Sequence, residues 1–331
     1  MKKNQLRWLI PNDWYDADTS LGNRLLHWEI AFEINKNNNF KFDILLDDIY
    51  WCETKLITLP NSSTVSFKDE IIGNPINEEM IDDIFNKKNF ILNDGNWYSN
   101  FGYKSLSFFE NKNVTFNPLS LIRISNPHVE DYIRGKMKNV VGIHIRRNVG
   151  VYYTDEDVDS LPEFLREKYL KLRLYTKIEY NRYNFIQDKY YFNIIDNILK
   201  INPNQKFFIS TDLPYEFVLY YKQKYGENIL TKENLISDVR YFLKYDGLNL
   251  DEVEKFGTLQ NVVDLFSLSF CKFLIVSNVS TWSEFARRYR NQPFAYAIND
   301  WDLVIKNKYI NNDWDQSCDF LFYNKNLKTI L

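Results

Sequence analysis

The segment at residues 140–147 constrains the fold more than any other part of this chain. Its sequence, VVGIHIRR, is typical of a buried strand, with Val141, Ile143 and Ile145 on one face. One histidine and two arginines close the segment. Because open parallel sheets bind ligands just outside the carboxyl ends of their strands, the segment predicts an α/β protein with a binding site at this strand end.

Strand and helix patterns alternate along both halves of the chain, which indicates an α/β protein. A polar stretch at residues 111–127 with little periodicity marks a domain boundary. We expect an N-terminal α/β domain at 1–125, a C-terminal Rossmann-like domain at 126–300, and an extension at 301–331 that packs back on the domains. The predicted strands are residues 6–10, 42–46, 55–59, 89–92, 139–146, 206–210 and 273–277. The predicted helices are residues 21–35, 77–85, 129–137, 186–199, 215–225, 260–270 and 281–290.

Composition and charge exclude several classes of protein. The 331 residues are 45% hydrophobic, and the formal net charge of −3 lacks the basic footprint of a general nucleic-acid binder. Cys52, Cys271 and Cys318 contain no CxxC pair, so neither a zinc knuckle nor a disulfide framework is indicated. The sequence shows no signal-peptide pattern and no apolar run near the roughly 18 residues of a membrane span. We therefore expect a cytoplasmic protein without a membrane span, and its oligomeric state is open.

Three predicted strands of the second half end in polar groups. In a right-handed parallel sheet these ends fall on the same edge, and the helix after the third strand directs its N–H groups and positive dipole end there. Paired guanidinium groups fit phosphate oxygens, so the edge predicts a site for a phosphate-bearing ligand. The three sets are His144, Arg146 and Arg147; Ser210, Thr211 and Asp212; and Ser277, Asn278, Ser280 and Thr281.

Each of these residues also has a purely structural interpretation. The two arginines can pair with surface carboxylates, and Asp212 can belong to a turn before Pro214. Ser280 and Thr281 can cap the following helix. His144 alternates with apolar neighbours and can be a core histidine. The three strand ends taken together favour a ligand site. A carboxylate beside the basic groups can accept two N–H bonds from a guanine edge, which favours a guanine nucleotide.

Three motifs, together with a weaker fourth, resemble the GDP-fucose-dependent fucosyltransferases: the α1,2 and α1,6 enzymes, the Nod-factor enzyme and their protein O-fucosyltransferase relatives. The motif GIHIRR at 142–147 is similar to the His-x-Arg-Arg segment of that family, and FFISTD at 207–212 to its strand ending in Ser/Thr-Asp. The run at 264–278 is similar to its last nucleotide-binding block, and LGNRL at 21–25 to its N-terminal Gly-Asn-Gln-Leu loop. The order and spacing agree over residues 21–293.

The resemblance implies an α/β, GT-B-like architecture, in which two Rossmann-like domains face each other across a cleft. It also implies that the donor binds mainly to the second domain and the acceptor to the first, with inversion at the sugar and no required metal or other cofactor. Arg146 is then expected at the diphosphate of the donor, His144 and Asp212 near its guanine, and Ser280 by its phosphates. The full set of candidate donor-binding residues is His144, Arg147, Thr211, Asp212, Asn278, Ser280, Thr281, Gly22 and Asn23.

The function expected from the resemblance is inverting, metal-independent transfer of fucose from GDP-fucose to a hydroxyl of a glycan acceptor. Arg146 is the candidate catalytic cation. The general base is expected shortly after the arginine motif, where Asp155, Glu156 and Asp157 are candidates and Glu156 is favoured. The rival bases on the first domain are Asp13, Asp16 and Asp18; the last two form a DxD, for which helix capping is a simpler explanation than metal binding.

The chain departs from the family pattern at several positions. Asn148 and Val149 follow the arginines where an Asp is frequent, Leu213 replaces a second acid, Arg24 stands where Gln is usual, and Ser20 where Gly is common. Two alternatives therefore stay open, which are a GT-B transferase for another nucleotide sugar and a non-catalytic module that binds nucleotide or glycan. A kinase-like enzyme is disfavoured because no GxxxxGK[ST] loop occurs.

Overall fold

The computed structural model describes residues 4–8, 21–47, 52–66, 73–77, 80, 91–99, 118–146, 163, 166, 188–212, 215–254, 257–277 and 280–296. The strands are β1 (Asn4–Trp8), β2 (Phe42–Asp47), β3 (Ile57–Thr58), β4 (Ser62–Val65), β5 (Asn74–Ile76), β6 (Trp97–Ser99), β7 (Arg123–Ile124), β8 (Val141–Ile145), β9 (Phe207–Thr211), β10 (Ile229–Leu230), β11 (Phe273–Val276) and β12 (Phe294–Tyr296). The α-helices are α1 (Leu21–Asn37), α2 (Pro127–Met137), α3 (Asp188–Ile201), α4 (Tyr215–Tyr225), α5 (Glu233–Tyr245), α6 (Leu250–Glu254), α7 (Thr258–Phe270) and α8 (Thr281–Tyr289).

The chain divides into two compact units. The first comprises Met1–Asp131 and Asp238–Val262, and the second comprises Tyr132–Ser237 and Val263–Leu331. The domain boundary predicted at residues 125 and 126 stays a prediction, and the predicted extension at 301–331 lies outside the described residues.

The first unit contains a five-stranded parallel sheet in the order β4-β2-β1-β6-β5. Helix α1 connects β1 to β2 and buries most of its surface, including Leu25 and Trp28. The Asn35 side chain sets the start of β2, because its amide donates to the Phe42 carbonyl at 2.9 Å and its oxygen accepts from the Phe42 N–H at 3.0 Å. A two-stranded antiparallel ribbon joins β3 to β7.

The second unit contains a five-stranded parallel sheet in the order β10-β9-β8-β11-β12. Its three central strands are apolar and buried, as expected for a sheet that is covered on both faces. Gly142 on β8 permits close packing, since a Cβ there would lie 2.8 Å from Leu268 Cδ1 of α7. The predicted α/β class with two Rossmann-like units is therefore confirmed.

Of the predicted strands of the first half, one is shorter than expected and another is wrong in its described part. Of residues 55–59, only Ile57–Thr58 is strand, because Lys55 ends a turn of 3₁₀ helix at Cys52–Lys55. Within 89–92, Ile91 and Leu92 belong to no strand, and the Ile91 side chain is exposed. Both segments are short apolar runs, which periodicity alone does not distinguish from loops that are anchored in a core.

Candidate functional site

The carboxyl ends of three strands of the second unit meet at one edge, as the sequence predicts. Strand β8 lies between β9 and β11, with Ile145 opposite Thr211 and Ile143 opposite Ile275. The residues that follow these strands are therefore neighbours. We call this set of strand ends, with the helix end that follows β11, the donor edge. It comprises Arg146, Asp212, Ser277, Ser280 and Thr281.

Ser277 fixes the backbone of Arg146 at this edge. The Arg146 N–H donates to Ser277 Oγ at 3.0 Å, and Ser277 Oγ donates to the His144 carbonyl at 2.8 Å. The Tyr191 hydroxyl shares a third hydrogen bond with Ser277 Oγ at 3.3 Å. A side chain thus continues the β8–β11 pairing beyond the last ladder bond and holds Arg146 in place.

The Arg146 side chain faces Asp212 across the ends of β8 and β9. Arg146 Nη1 lies 3.2 Å from Asp212 Oδ2, and the two side chains are 39% and 21% exposed. An ion pair between partly exposed charges contributes about 0–1 kcal/mol. Exchange of this contact for one with a polyanionic ligand would therefore cost little.

His144 is buried one row below Arg146. Its side chain is almost inaccessible, and its Nδ1 shares a hydrogen bond of 2.6 Å with Ser283 Oγ of α8. Burial lowers the pKa of His144 to about 3, and the positive charge of Arg146 acts in the same direction. The imidazole is therefore neutral at physiological pH, so it contributes no cationic charge to the donor edge.

Asp264 is a buried carboxylate beneath the end of β9. It accepts a hydrogen bond from Ser210 Oγ, and Ser210 Oγ accepts one from Trp282 Nε1 at 3.1 Å. Burial raises the pKa of Asp264 to about 6, and the negative charge of Glu233 acts in the same direction. The positive charge of Lys232 and the hydrogen bonds of Ser210 and Trp282 oppose this rise in pKa. Sequence reasoning did not select Asp264 as a site residue, although it is the only charged residue of α7.

Helix α8 presents its N-terminus at the donor edge. Ser280 precedes the first turn in an extended conformation, with φ −109° and ψ 121°. In the described part of the chain, the Ser280 hydroxyl makes no capping bond to this helix, and Ser280 and Thr281 are both buried. The first N–H groups of a helix favour an anion, so this end suits a phosphate group.

A narrow crevice opens beside the ends of β8 and β9. Ile145 and Thr211 line it from the strands, and Phe217 and Tyr221 line it from α4. Tyr221 donates to Asp188 Oδ1 of α3 at 2.6 Å. Most of the side chains that line the crevice are apolar or aromatic.

Two predicted donor-binding residues belong to the first unit. Gly22 and Asn23 lie in the first turn of α1, where Gly22 is buried and Asn23 is partly buried. The following residue, Arg24, forms an ion pair with Glu53. Burial raises the pKa of Glu53, and the charge of Arg24 opposes that shift.

The other predicted site residues, Arg147, Asp155, Glu156 and Asn278, lie outside the described residues. Among the residues that the structure describes, no three His, Cys, Asp or Glu side chains come together as a possible metal site. None of the described helices combines the length and apolar character needed to cross a membrane.

No protein-family model and no curated protein sequence matches the chain. Among solved structures, it is similar to NodZ α1,6-fucosyltransferase co-crystallised with GDP, with a TM-score of 0.44 and 10% identity over 87% of this chain and 92% of that one. It is also similar to POFUT1 in complex with GDP-fucose, with a TM-score of 0.43 and 8% identity over 89% of this chain and 98% of that one. A mutant of Arabidopsis thaliana FUT1 in complex with GDP has a TM-score of 0.45 and 10% identity over 96% of this chain and 73% of that one. At these identities the likeness is one of fold alone.

Proposed function

We propose that this chain is an inverting glycosyltransferase that moves fucose from GDP-fucose to a glycan hydroxyl without a required metal ion. The observation that carries the proposal is the donor edge, where Arg146 stands 3.2 Å from Asp212 and the N-terminus of α8 follows the neighbouring strand. A guanidinium and a helix N-terminus are both groups that bind phosphate. The sequence motifs that resemble the fucosyltransferases support guanine and fucose as the base and the sugar.

The reaction breaks the bond between the anomeric carbon of fucose and the β-phosphate oxygen. The electron pair leaves with GDP, and the acceptor oxygen attacks the anomeric carbon from the opposite face. Arg146 and the first N–H groups of α8 stabilise the charge that develops on the diphosphate. Removal of one stabilising contact of this kind typically lowers the rate about 100–1000-fold.

The acceptor hydroxyl loses its proton to a general base as the new bond forms. Glu156 is the proposed base, on the motif resemblance alone, and it lies outside the described residues. His144 is a poor candidate because it is buried and hydrogen-bonded to Ser283. The acceptor itself is proposed only as a glycan hydroxyl.

Thermal unfolding with nucleotides tests the proposal. We expect millimolar GDP to raise the melting temperature in the presence of EDTA, because the donor edge supplies the positive charge that a metal supplies elsewhere. UDP, CDP and ADP serve as matched controls with the same diphosphate and a different base. A shift with GDP that exceeds the shifts with the other three supports a guanine-nucleotide site.

The alternatives are distinguished by this measurement together with an assay of GDP release. A larger shift with UDP, CDP or ADP than with GDP would favour a transferase for another nucleotide sugar. The absence of any shift, with and without added Mg²⁺, would overturn the nucleotide site. A non-catalytic module would bind GDP-fucose and yet release no GDP when acceptor glycans are added.

A further inference from the structure

The first turn of helix α8 is tied to two strands of the sheet by the buried side chain of Ser283 and the partly buried side chain of Trp282. Ser283 bonds to β8 through His144, and Trp282 bonds to β9 through Ser210. These contacts lie one row below the donor edge. They join elements that are far apart in the sequence.

The two strand residues occupy matching positions. His144 and Ser210 are register partners on β8 and β9. Each stands two residues before a donor-edge residue, which is Arg146 in the first case and Asp212 in the second. Residues i and i+2 of a strand lie on the same face. His144 and Ser210, which hold α8, therefore lie on the same side of the sheet as Arg146 and Asp212.

The contact with β8 consists of a single short hydrogen bond between buried groups. His144 Nδ1 and Ser283 Oγ are 2.6 Å apart, and both side chains are almost completely buried. A buried hydrogen bond of this kind fixes geometry, because a broken bond leaves polar atoms without water. It sets how far the first turn of α8 lies from the strand that carries Arg146.

The contact with β9 is a chain of three side chains. Asp264 of α7 accepts from Ser210 Oγ, which in turn accepts from the Trp282 indole N–H at 3.1 Å. With its proton directed to Asp264, the Ser210 hydroxyl presents its lone pairs to the indole. Asp264 thus orients Ser210, and Ser210 positions Trp282.

We propose that these five residues form two braces that position the N-terminus of α8 against Arg146, so that both bind the same diphosphate. The first brace is His144 with Ser283, and the second is Asp264 with Ser210 and Trp282. In this role they are positioning residues, which act on the ligand through Arg146 and the first N–H groups of α8. The inference rests on the proposed function, since it assumes that a diphosphate binds at the donor edge.

Isothermal titration of the full chain with inorganic diphosphate and with GDP tests the braces. Ser283→Ala removes the partner of His144, and Trp282→Phe removes the indole N–H while it keeps an aromatic ring. Each change should weaken both ligands about tenfold, the effect of one lost hydrogen bond. Ser269→Ala is the matched control, because Ser269 is a buried serine whose hydroxyl donates only within α7, to the Leu265 carbonyl at 2.7 Å.

A second pair of variants separates positioning from simple loss of packing. His144→Asn and His144→Gln both remove the imidazole ring, but only the shorter amide places a polar atom where Nδ1 stands. We expect His144→Asn to bind diphosphate within about threefold of the wild-type chain and His144→Gln to bind about tenfold more weakly. Equal affinities for these two variants would overturn the positioning role of His144.

The wild-type titration distinguishes failure of the braces from failure of the proposed function. If the wild-type chain binds neither GDP nor inorganic diphosphate, the proposed function fails. If the wild-type chain binds both, and Ser283→Ala and Trp282→Phe bind them as tightly as Ser269→Ala does, the function stands and the braces are refuted.

Discussion

An arginine–aspartate pair lies at the carboxyl ends of neighbouring parallel strands in both units, and the two pairs differ in burial. In the first unit, Arg7 Nε and Nη2 donate to Asp47 Oδ1 at 3.0 and 2.7 Å, and Nη2 also donates to the Ser66 carbonyl at 3.2 Å. Those side chains are 8% and 6% exposed. In the second unit, Arg146 Nη1 lies 3.2 Å from Asp212 Oδ2, and the two side chains are 39% and 21% exposed.

The difference teaches that position at a strand end does not by itself identify a ligand site. The Arg7 guanidinium is engaged in several directions by its own unit, so its role is to stabilise the sheet. The Arg146 guanidinium lies 3.2 Å from the Asp212 carboxylate and keeps partial access to solvent. Burial, which the sequence does not reveal, therefore distinguishes two pairs that have similar positions.

The largest effect that we expect is on the stability of the first unit. Arg7→Ala leaves Asp47 as a buried carboxylate without its cationic partner, and loss of one member of a buried ion pair costs about 3–5 kcal/mol. Urea unfolding followed by circular dichroism measures this loss. Replacement of both residues, Arg7→Met with Asp47→Leu, should recover most of it, because no buried charge then remains. A double variant as unstable as Arg7→Ala would contradict the paired assignment.

The second largest effect should be a pH dependence of stability in the second unit, which comes from the buried carboxylate of Asp264. Burial raises the pKa of Asp264 from 3.8 to about 6. Protonated Asp264 therefore adds to the free energy of unfolding, and this contribution is fully present below pH 3.8 and is lost as the pH rises through 6. The complete loss amounts to about 3 kcal/mol. Asp264→Asn removes this dependence.

Unfolding of Asp264→Asn and wild type at several pH values measures the effect. We expect the stability of the variant relative to wild type to rise by about 2 kcal/mol between pH 4 and pH 7. Buried His144 and His27 act in the opposite direction in both proteins, because burial lowers their pKa to about 3 and about 4, and they cancel in the difference. A difference that is flat over this range would show that Asp264 ionises as it does in the unfolded chain.

The smallest effect on stability should belong to the pair in the second unit. Arg146→Ala should change the free energy of unfolding by less than about 1 kcal/mol, as is usual for an exposed ion pair. The same urea titration as for Arg7→Ala gives a direct comparison. A loss near that of Arg7→Ala would mean that Arg146 is a structural residue, and the contrast between the two pairs would disappear.

The central elements of the second unit could be predicted from the sequence almost to the residue. Helix α4 was predicted with its observed bounds. Strands β9 and β11 were predicted within one residue, because each is a compact apolar run between turn residues. Helix α5 was not predicted, and neither were short edge strands such as β4, whose sequence SSTV carries little apolar signal. Edge strands bury little surface, so their pairing depends on neighbours that a local pattern does not contain.

The same limit applies to the site. The meeting of Arg146 with Asp212 could be predicted, because topology alone brings parallel strand ends together. The hydrogen-bond partners of His144 and Asp264 could not be predicted. Ser283 lies 139 residues from His144 in the sequence, and Ser210 lies 54 residues from Asp264. A lone acid in the apolar helix α7 was the available signal, because a buried charge requires hydrogen-bond donors nearby.

The affinity of Arg146→Ala for GDP, measured by titration calorimetry in EDTA, tests the central claim most directly. The control is Arg240→Ala, since Arg240 also pairs with a carboxylate, Glu254, and is exposed to a similar degree. We predict that Arg146→Ala binds GDP about 10–100-fold more weakly than wild type, the effect of lost charge-assisted hydrogen bonds, and that Arg240→Ala is unchanged. Equal GDP affinities for the wild-type chain and both variants would contradict the assignment of the donor edge.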